Sequence, residues 1–119
     1  MIYTTNFASL KKLPDSIIPV AICRNVPEWY KGAEYKALAQ SFEILRDWWS
    51  NHDEAAYKNE FDKILSKLNP ENVKCDLESL ANGKDIALLC FERAGAFCHR
   101  HLVADWFSSN DIPCREYTW

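Results

Sequence analysis

The apolar positions of this chain fall into short continuous runs and longer stretches of helical period. Ile2 to Phe7 begins apolar and turns polar, as a short β-strand does before a connection, here Leu10-Lys11-Lys12-Leu13-Pro14. Ile17-Ile18-Pro19-Val20-Ala21-Ile22-Cys23 is apolar and β-branched with no alternation, the pattern of a strand covered on both faces. Pro19 has no N–H for a ladder, which places it at an edge or at the strand's beginning. Arg24 to Gly32 then reads as a loop containing Pro27, Trp29 and Tyr30.

Three helical patterns follow. Leu38, Phe42, Leu45 and Trp49 share one face of the first, and Tyr57, Phe61, Ile64 and Leu68 share one face of the second. Asn69-Pro70 restarts the chain, with Asn69 as N-cap and Pro70 at the first helical position. The third helix carries Val73, Leu77 and Leu80 on one face, and Gly83 after Asn82 fits a left-handed terminator. Asp85 to Phe91 is the clearest strand, short and continuously apolar like a central parallel strand. Glu92 to Phe97 forms a loop turning at Gly95. A helix from about His99 to Ser109 buries Leu102, Val103, Trp106 and Phe107, and Ile112 to Trp119 supplies a last strand. This order predicts a single α/β domain over residues 1–119, a small and mostly parallel sheet with helices packed on it.

Composition narrows the partners. The 119 residues suit one domain, and a net charge of -3 gives no electrostatic footprint for bulk nucleic acid or an anionic membrane. No apolar run approaches the roughly 20 residues of a membrane span. Met1-Ile2-Tyr3-Thr4-Thr5-Asn6 lacks the basic start and apolar stretch of a signal peptide, so the cytoplasm is the expected compartment. The five cysteines are odd in number and show no C-x-x-C spacing, which argues for thiols rather than a disulfide framework.

The chemistry concentrates at Cys98-His99-Arg100-His101, where a strand hands over to a helix. A helix N-terminus carries about half a positive charge and free N–H groups. An obligate cation and two imidazoles in that first turn need something negative nearby. Glu92 could pair with Arg100. Alternatively, a bound anion could sit on the helix terminus, with Arg100 giving bidentate hydrogen bonds. The position suits a ligand, because open α/β sheets bind at the carboxyl ends of their strands. Cys98 stands at or beside the N-cap, a place that activates a thiol, though a buried thiol there is also a small apolar filler. His99 and His101 are two apart and point in different directions. Cys90, Cys98, His99, His101 and Cys114 offer soft ligands, but their spacing matches none of the usual structural zinc patterns, and no metal or cofactor is expected. There is no phosphatase-type Cys-x5-Arg, no G-x-G-x-x-G or P-loop, and no G-x-S-x-G elbow.

Parallel strands also bring Asn6 and Arg24 to the same end. Trp29 and Tyr30 in the following loop either stack on a planar ligand or cap the core.

Ala87-Leu88-Leu89-Cys90-Phe91-Glu92 followed by Phe97-Cys98-His99-Arg100-His101-Leu102-Val103-Ala104 resembles the motif of the uncharacterised domain-of-unknown-function family numbered 488. The start, Ile2-Tyr3-Thr4-Thr5-Asn6-Phe7, looks like the short variants found in bacteria and their mobile elements. The resemblance implies a Rossmann-like fold and a site at Cys98, His99 and Arg100 with Glu92 beside it. Many relatives have a Gly-His-Ser element after the first strand, where this chain has Thr5-Asn6-Phe7.

Three functions remain open on the sequence. The first is binding of a small anionic, nucleotide-like ligand by Arg100, Arg24, Asn6, Glu92 and His101 with Trp29 or Tyr30 on the base, as a sensor or sequestering protein in phage–bacteria conflict. The second is a nucleotide- or nucleoside-processing enzyme with Cys98 as nucleophile and His99 or His101 as base. The third is a protein-interaction module using Trp48, Trp49 and Trp119.

Overall fold

The computed structural model describes residues 1–93 and 95–118. Five strands form one sheet: β1 (Ile2–Asn6), β2 (Ile17–Ala21), β3 (Ala33–Glu34), β4 (Asp85–Cys90) and β5 (Cys114–Glu116). Their order is β3-β2-β4-β1-β5, and every pairing is parallel. β4 lies between β2 and β1, with its five residues from Ile86 to Cys90 buried. That position explains why its sequence is continuously apolar rather than alternating.

Pro19 sits where one side of β2 has no strand partner. It is in register with Ala87 of β4, but the ladder to β3 starts only at Val20. The two-residue β3 lies in a stretch with no apolar run and has no counterpart in the predicted elements.

Four helices follow the expected order: α1 (Phe42–Asn51), α2 (Glu54–Ser66), α3 (Pro70–Leu80) and α4 (His99–Ser109). Side chains cap the first three. Ser41, Asp53 and Asn69 accept from the backbone N–H groups of Ile44, Ala56 and Asn72. Asn82 and Gly83 take positive φ values of 51° and 80° after α3, as the sequence predicts for its end.

Two expected faces are corrected. Phe42 is 66% exposed and Trp49 69%, so they do not line the core side of α1, where Ile44 is buried and Trp48 packs instead. The 3-10 turn at Lys36–Leu38 breaks the helical period between Leu38 and Phe42, so the inward face of α1 runs through Ile44 and Trp48. In α3 the core face ends at Leu77, and Leu80 is exposed.

The two faces of the sheet carry different layers. Val20, Ile86, Leu88 and Cys90 join the main core with Phe61, Leu77, Val103 and Phe107 from the helices. Ala21 and Leu89 point the other way, toward Phe7 and Tyr30 in a smaller cluster. Among the described residues, no helix is long and apolar enough to cross a membrane.

Candidate functional site

β4 ends at Cys90, α4 starts at His99, and Cys98 is the residue at the N-cap between them, with extended φ and ψ of -156° and 144°. The handover brings two thiols and an imidazole together. Sγ of Cys90 lies 3.5 Å from Nδ1 of His99, and Sγ of Cys98 lies 3.9 Å from the same nitrogen. All three residues are buried, and their ligating atoms lie within 4.8 Å of one another.

The ring of His99 is fixed from two sides. Nε2 donates to the carbonyl of Ile22 at 2.7 Å, so that nitrogen carries a proton, while Nδ1 faces the Cys98 sulfur and the Cys90 sulfur lies over the ring, 3.5 Å from Nδ1 and 3.6 Å from Nε2. The Phe61 ring packs edge-on against it, with centroids 5.3 Å apart. Ile22 follows β2, so the imidazole bridges the end of β2 to the start of α4.

The two thiols are driven apart in acidity. The Cys90 hydrogen bond favours the thiolate of Cys98 most strongly. Burial opposes this, and His99 and the backbone N–H of Arg100 support it, so the Cys98 thiol is held well below its ordinary value. Burial and donation to Cys98 push Cys90 well above its own. Partial desolvation, together with the negative Cys98 next to it, raises the carboxyl of Glu92. Burial pushes Cys23 up to about 11, and its thiol donates to the carbonyl of Asn25 at 3.0 Å.

Arg100 is fully buried. Its carboxylate partner is Glu116 of β5, not Glu92, through Nε to Oε1 at 3.1 Å and Nη2 to Oε2 at 2.8 Å. Glu92 accepts from Nη1 at 2.6 Å, but with its backbone carbonyl. Thr4 donates to Oε1 of Glu116 at 2.6 Å. The positive charge at the head of α4 is therefore met from within the protein, by Glu116 on one side and by Cys98 on the helix terminus itself.

A hollow of about 250 Å³ borders this centre, lined by Cys90, His99, Arg24, Gln40, Trp49 and Glu92 among others, with Cys98 buried next to Cys90 and His99 and not itself part of the lining. Arg24 is anchored at its rim, donating from Nε to the carbonyl of Gln40 at 2.9 Å, with its guanidinium 5.3 Å from the centroid of Phe42. Gln40 is 7% exposed, and its Oε1 is a buried oxygen without a hydrogen-bond partner among the described residues.

Other residues singled out in the sequence lie elsewhere. Trp29 and Tyr30 sit with Phe7 in the cluster on the opposite face of the sheet. Trp29 lines a separate hollow with Phe7 and Leu10, and the Tyr30 hydroxyl donates to the carbonyl of Ala33 at 2.7 Å. Asn6 is in register with Cys90, and its Oδ1 accepts from the backbone N–H of Ser9. His101 is half-buried and its positive form favours the Glu116 carboxylate, on the side of α4 away from His99. Trp119 lies outside the described residues.

The aromatic rings at the hollow are Trp49 and Phe91, and its amides are Gln40 and Asn25; sequence reasoning assigned none of them to this site. The exposure of Trp49 is the trace of it that the misplaced helical face concealed. Glu116 gave no signal, because three residues of a terminal strand have no pattern to read.

An all-parallel α/β protein with a buried Cys-Cys-His centre at the carboxyl ends of its strands is the class that fold and site define. Residues 4–111 match the family model DUF488-N3a, described as the active DUF488-N3 subclade, and the chain belongs to that family. No curated protein and no solved structure matches this chain.

Proposed function

We propose that the protein is a thiol-dependent enzyme acting on a nucleotide or nucleoside, with Cys98 as its nucleophile. The observation that carries this reading is the Cys90–Cys98–His99 arrangement at the head of α4. A thiolate on Cys98 is stabilised there by a thiol, an imidazole and a helix N–H at once. The description of the subclade as active agrees with a working centre.

The substrate class is argued from the hollow. Its volume of about 250 Å³ falls just below the usual range of ligand sites, which limits it to a single planar head group. Trp49 offers a stacking face, Gln40 an unpaired acceptor for a ring N–H, and Arg24 a cation at the rim for a phosphate outside. In the chemical step the thiolate forms a bond to an electrophilic ring carbon. The electron pair of the C=N bond moves to the ring nitrogen, and the Glu92 carboxyl supplies the proton that nitrogen takes. His99 holds the negative sulfur in place by donating an N–H from Nδ1, with Nε2–H on the Ile22 carbonyl.

Arg100 has a positioning role in this reading. It ties the loop at Glu92 and the strand at Glu116 to α4 and does not touch the substrate.

Iodoacetamide alkylation followed from pH 5 to 9, with peptide mapping, tests the nucleophile. Cys98 is expected to react at pH 6 at a rate close to its rate at pH 8, and Cys98→Ser removes that reaction. A Cys98 rate that climbs about tenfold per pH unit up to pH 8 would overturn the reading. Thermal shift against nucleosides and nucleotides tests the substrate class, with stabilisation by at least one heterocycle expected and lost in Gln40→Ala. A flat response across the panel would sink it.

A further inference from the structure

We infer that the hollow receives one base of a single-stranded oligonucleotide, whose neighbouring bases stack on the exposed rings of Trp29, Phe42 and Phe91 around it. This substrate class rests on the nucleoside reading above and carries it from a free nucleotide to a base within a strand.

The exposed apolar surface is gathered in one place. Among the described residues six large apolar side chains are exposed, and four of them are aromatic: Trp29, Phe42, Trp49 and Phe91. All four stand around the hollow. Trp49 and Phe91 line it, and Arg24 in the same lining holds its guanidinium 5.3 Å from the centroid of Phe42. Phe7 joins Phe91 to Trp29, with ring centroids 5.0 and 6.0 Å from its own. The rings form a track over the carboxyl edge of the sheet, from α1 across the hollow to Trp29. Exposed apolar surface concentrated in this way marks an interaction site. Nucleobases use aromatic rings of this kind as stacking platforms, whatever the base.

The size of the hollow sets the length of the ligand. A volume of about 250 Å³ holds one planar group, so a mononucleotide leaves the outer rings uncovered. Phe42 and Trp49 are seven residues apart on α1, about 10 Å along its axis, which is room for two adjacent bases and too far for one.

Cations follow the same path. Lys36 donates to the carbonyl of Arg24 at 2.6 Å, Arg46 stands between Phe42 and Trp49 on α1, and Lys11 lines the hollow beside Trp29. Glu34 lies 2.9 Å from Lys36 and Asp47 3.4 Å from Arg46, so the local positive surplus is small. Stacking rather than counterion release therefore carries most of the affinity, in keeping with a net charge of -3. The strand must be single, because the bases of a duplex already cover one another's faces.

Fluorescence anisotropy with labelled mixed-sequence 10-mers of DNA and of RNA, each single-stranded and as a duplex, tests this on the reduced protein. At least one of the two single strands should bind tenfold or more tighter than any mononucleotide competitor, and tenfold or more tighter than its duplex. With four cations on the path, log K should fall against log salt with a slope no steeper than about -3. Trp29→Ala and Phe42→Ala should each weaken single-strand binding about 5- to 150-fold, the effect of losing one stack. Leu80→Ala, exposed on α3, should leave it unchanged. Thermal unfolding checks that the variants fold, and quenching of tryptophan fluorescence by the unlabelled 10-mers gives a second readout on the wild type. A 10-mer no tighter than a mononucleotide, a duplex as tight as the single strand, a steeper salt slope or binding indifferent to both ring substitutions would overturn the inference. So would self-association that Trp29→Ala or Phe42→Ala abolishes in a protein that binds no 10-mer, since the rings would then belong to a second copy of the chain. An activated Cys98 with mononucleotide stabilisation but no gain from the 10-mer leaves the enzyme standing without the strand. Ring-dependent 10-mer binding beside an ordinary Cys98 thiol does the reverse.

Discussion

Arg100 and Glu116 meet through two parallel hydrogen bonds, at 3.1 and 2.8 Å, across the gap between the first turn of α4 and the edge strand β5. The guanidinium is fully buried while the carboxylate keeps a side-chain exposure of 28%. A bidentate pair of this geometry fixes orientation as well as charge. It holds the last strand of the sheet against the helix that carries the thiol centre.

Removing one partner leaves the other uncompensated. Arg100→Ala is expected to destabilise the fold by about 3–5 kcal/mol, the range for breaking a buried ion pair. Urea unfolding followed by far-UV circular dichroism measures it. A loss under about 1 kcal/mol would show that the pair is not what holds β5 to α4.

The same pair predicts acid sensitivity. Burial alone would raise the Glu116 carboxyl, but hydrogen bonds from Arg100 and Thr4 outweigh it and hold the group below its ordinary value of 4.5. A carboxyl whose folded pKa is depressed supplies stability that is complete above its unfolded value and is lost as the pH falls through the folded one. Stability should therefore decline below about pH 4. In Glu116→Gln this part of the decline should be absent, which urea midpoints at pH 6 and pH 3 would reveal.

Trp48 and Trp49 are neighbours in sequence and opposites in environment. Trp48 packs edge-on against Phe97 and Tyr57, with centroids 4.9 and 5.6 Å away, whereas Trp49 is 69% exposed at the hollow. Trp48→Ala should cost about 3 kcal/mol. Trp49→Ala should change stability by no more than about 0.5 kcal/mol while reducing any heterocycle-induced thermal shift. Equal destabilisation by the two variants would contradict the assigned faces of α1.

Gly32 is required for space. A Cβ there would lie 2.5 Å from the hydroxyl oxygen of Tyr30, whose ring is buried against Phe7 and whose hydroxyl is tied to the carbonyl of Ala33. The ring cannot withdraw without giving up both. Gly32→Ala should destabilise by about 1–3 kcal/mol, as overpacking does. Adding Tyr30→Phe should recover part of that loss, and no recovery would point to the backbone instead.

Much of the fold was legible because its signals are local. The continuous apolar run of β4 reports burial on both faces. Asn69-Pro70 marks the start of α3, and the fall of apolar positions in 99–109 gives α4 its observed bounds. Misreadings arose where one element ended inside a period. Leu38 belongs to a 3-10 turn, so counting from it placed Phe42 and Trp49 on the wrong side of α1. The expectation that Trp29 and Tyr30 would converge with Cys98 used the common end of the strands but lacked the face of the sheet. Tyr30 packs on the face of Leu89, whereas His99 lies on that of Cys90, one residue further along.

The sequence by itself determined that an obligate cation and two imidazoles open a helix at the carboxyl end of a buried strand. It also determined that such an arrangement demands negative charge, since both the helix end and Arg100 are positive in any fold that forms them. Where that charge comes from was decided only by the tertiary structure. Strand order places β5 beside β1, bringing Glu116 across sixteen residues to Arg100, and the end of β4 brings the Cys90 thiol onto Cys98. Contacts of that kind depend on which strands pair and which face each side chain takes, and neither is written in the spacing of residues along the chain.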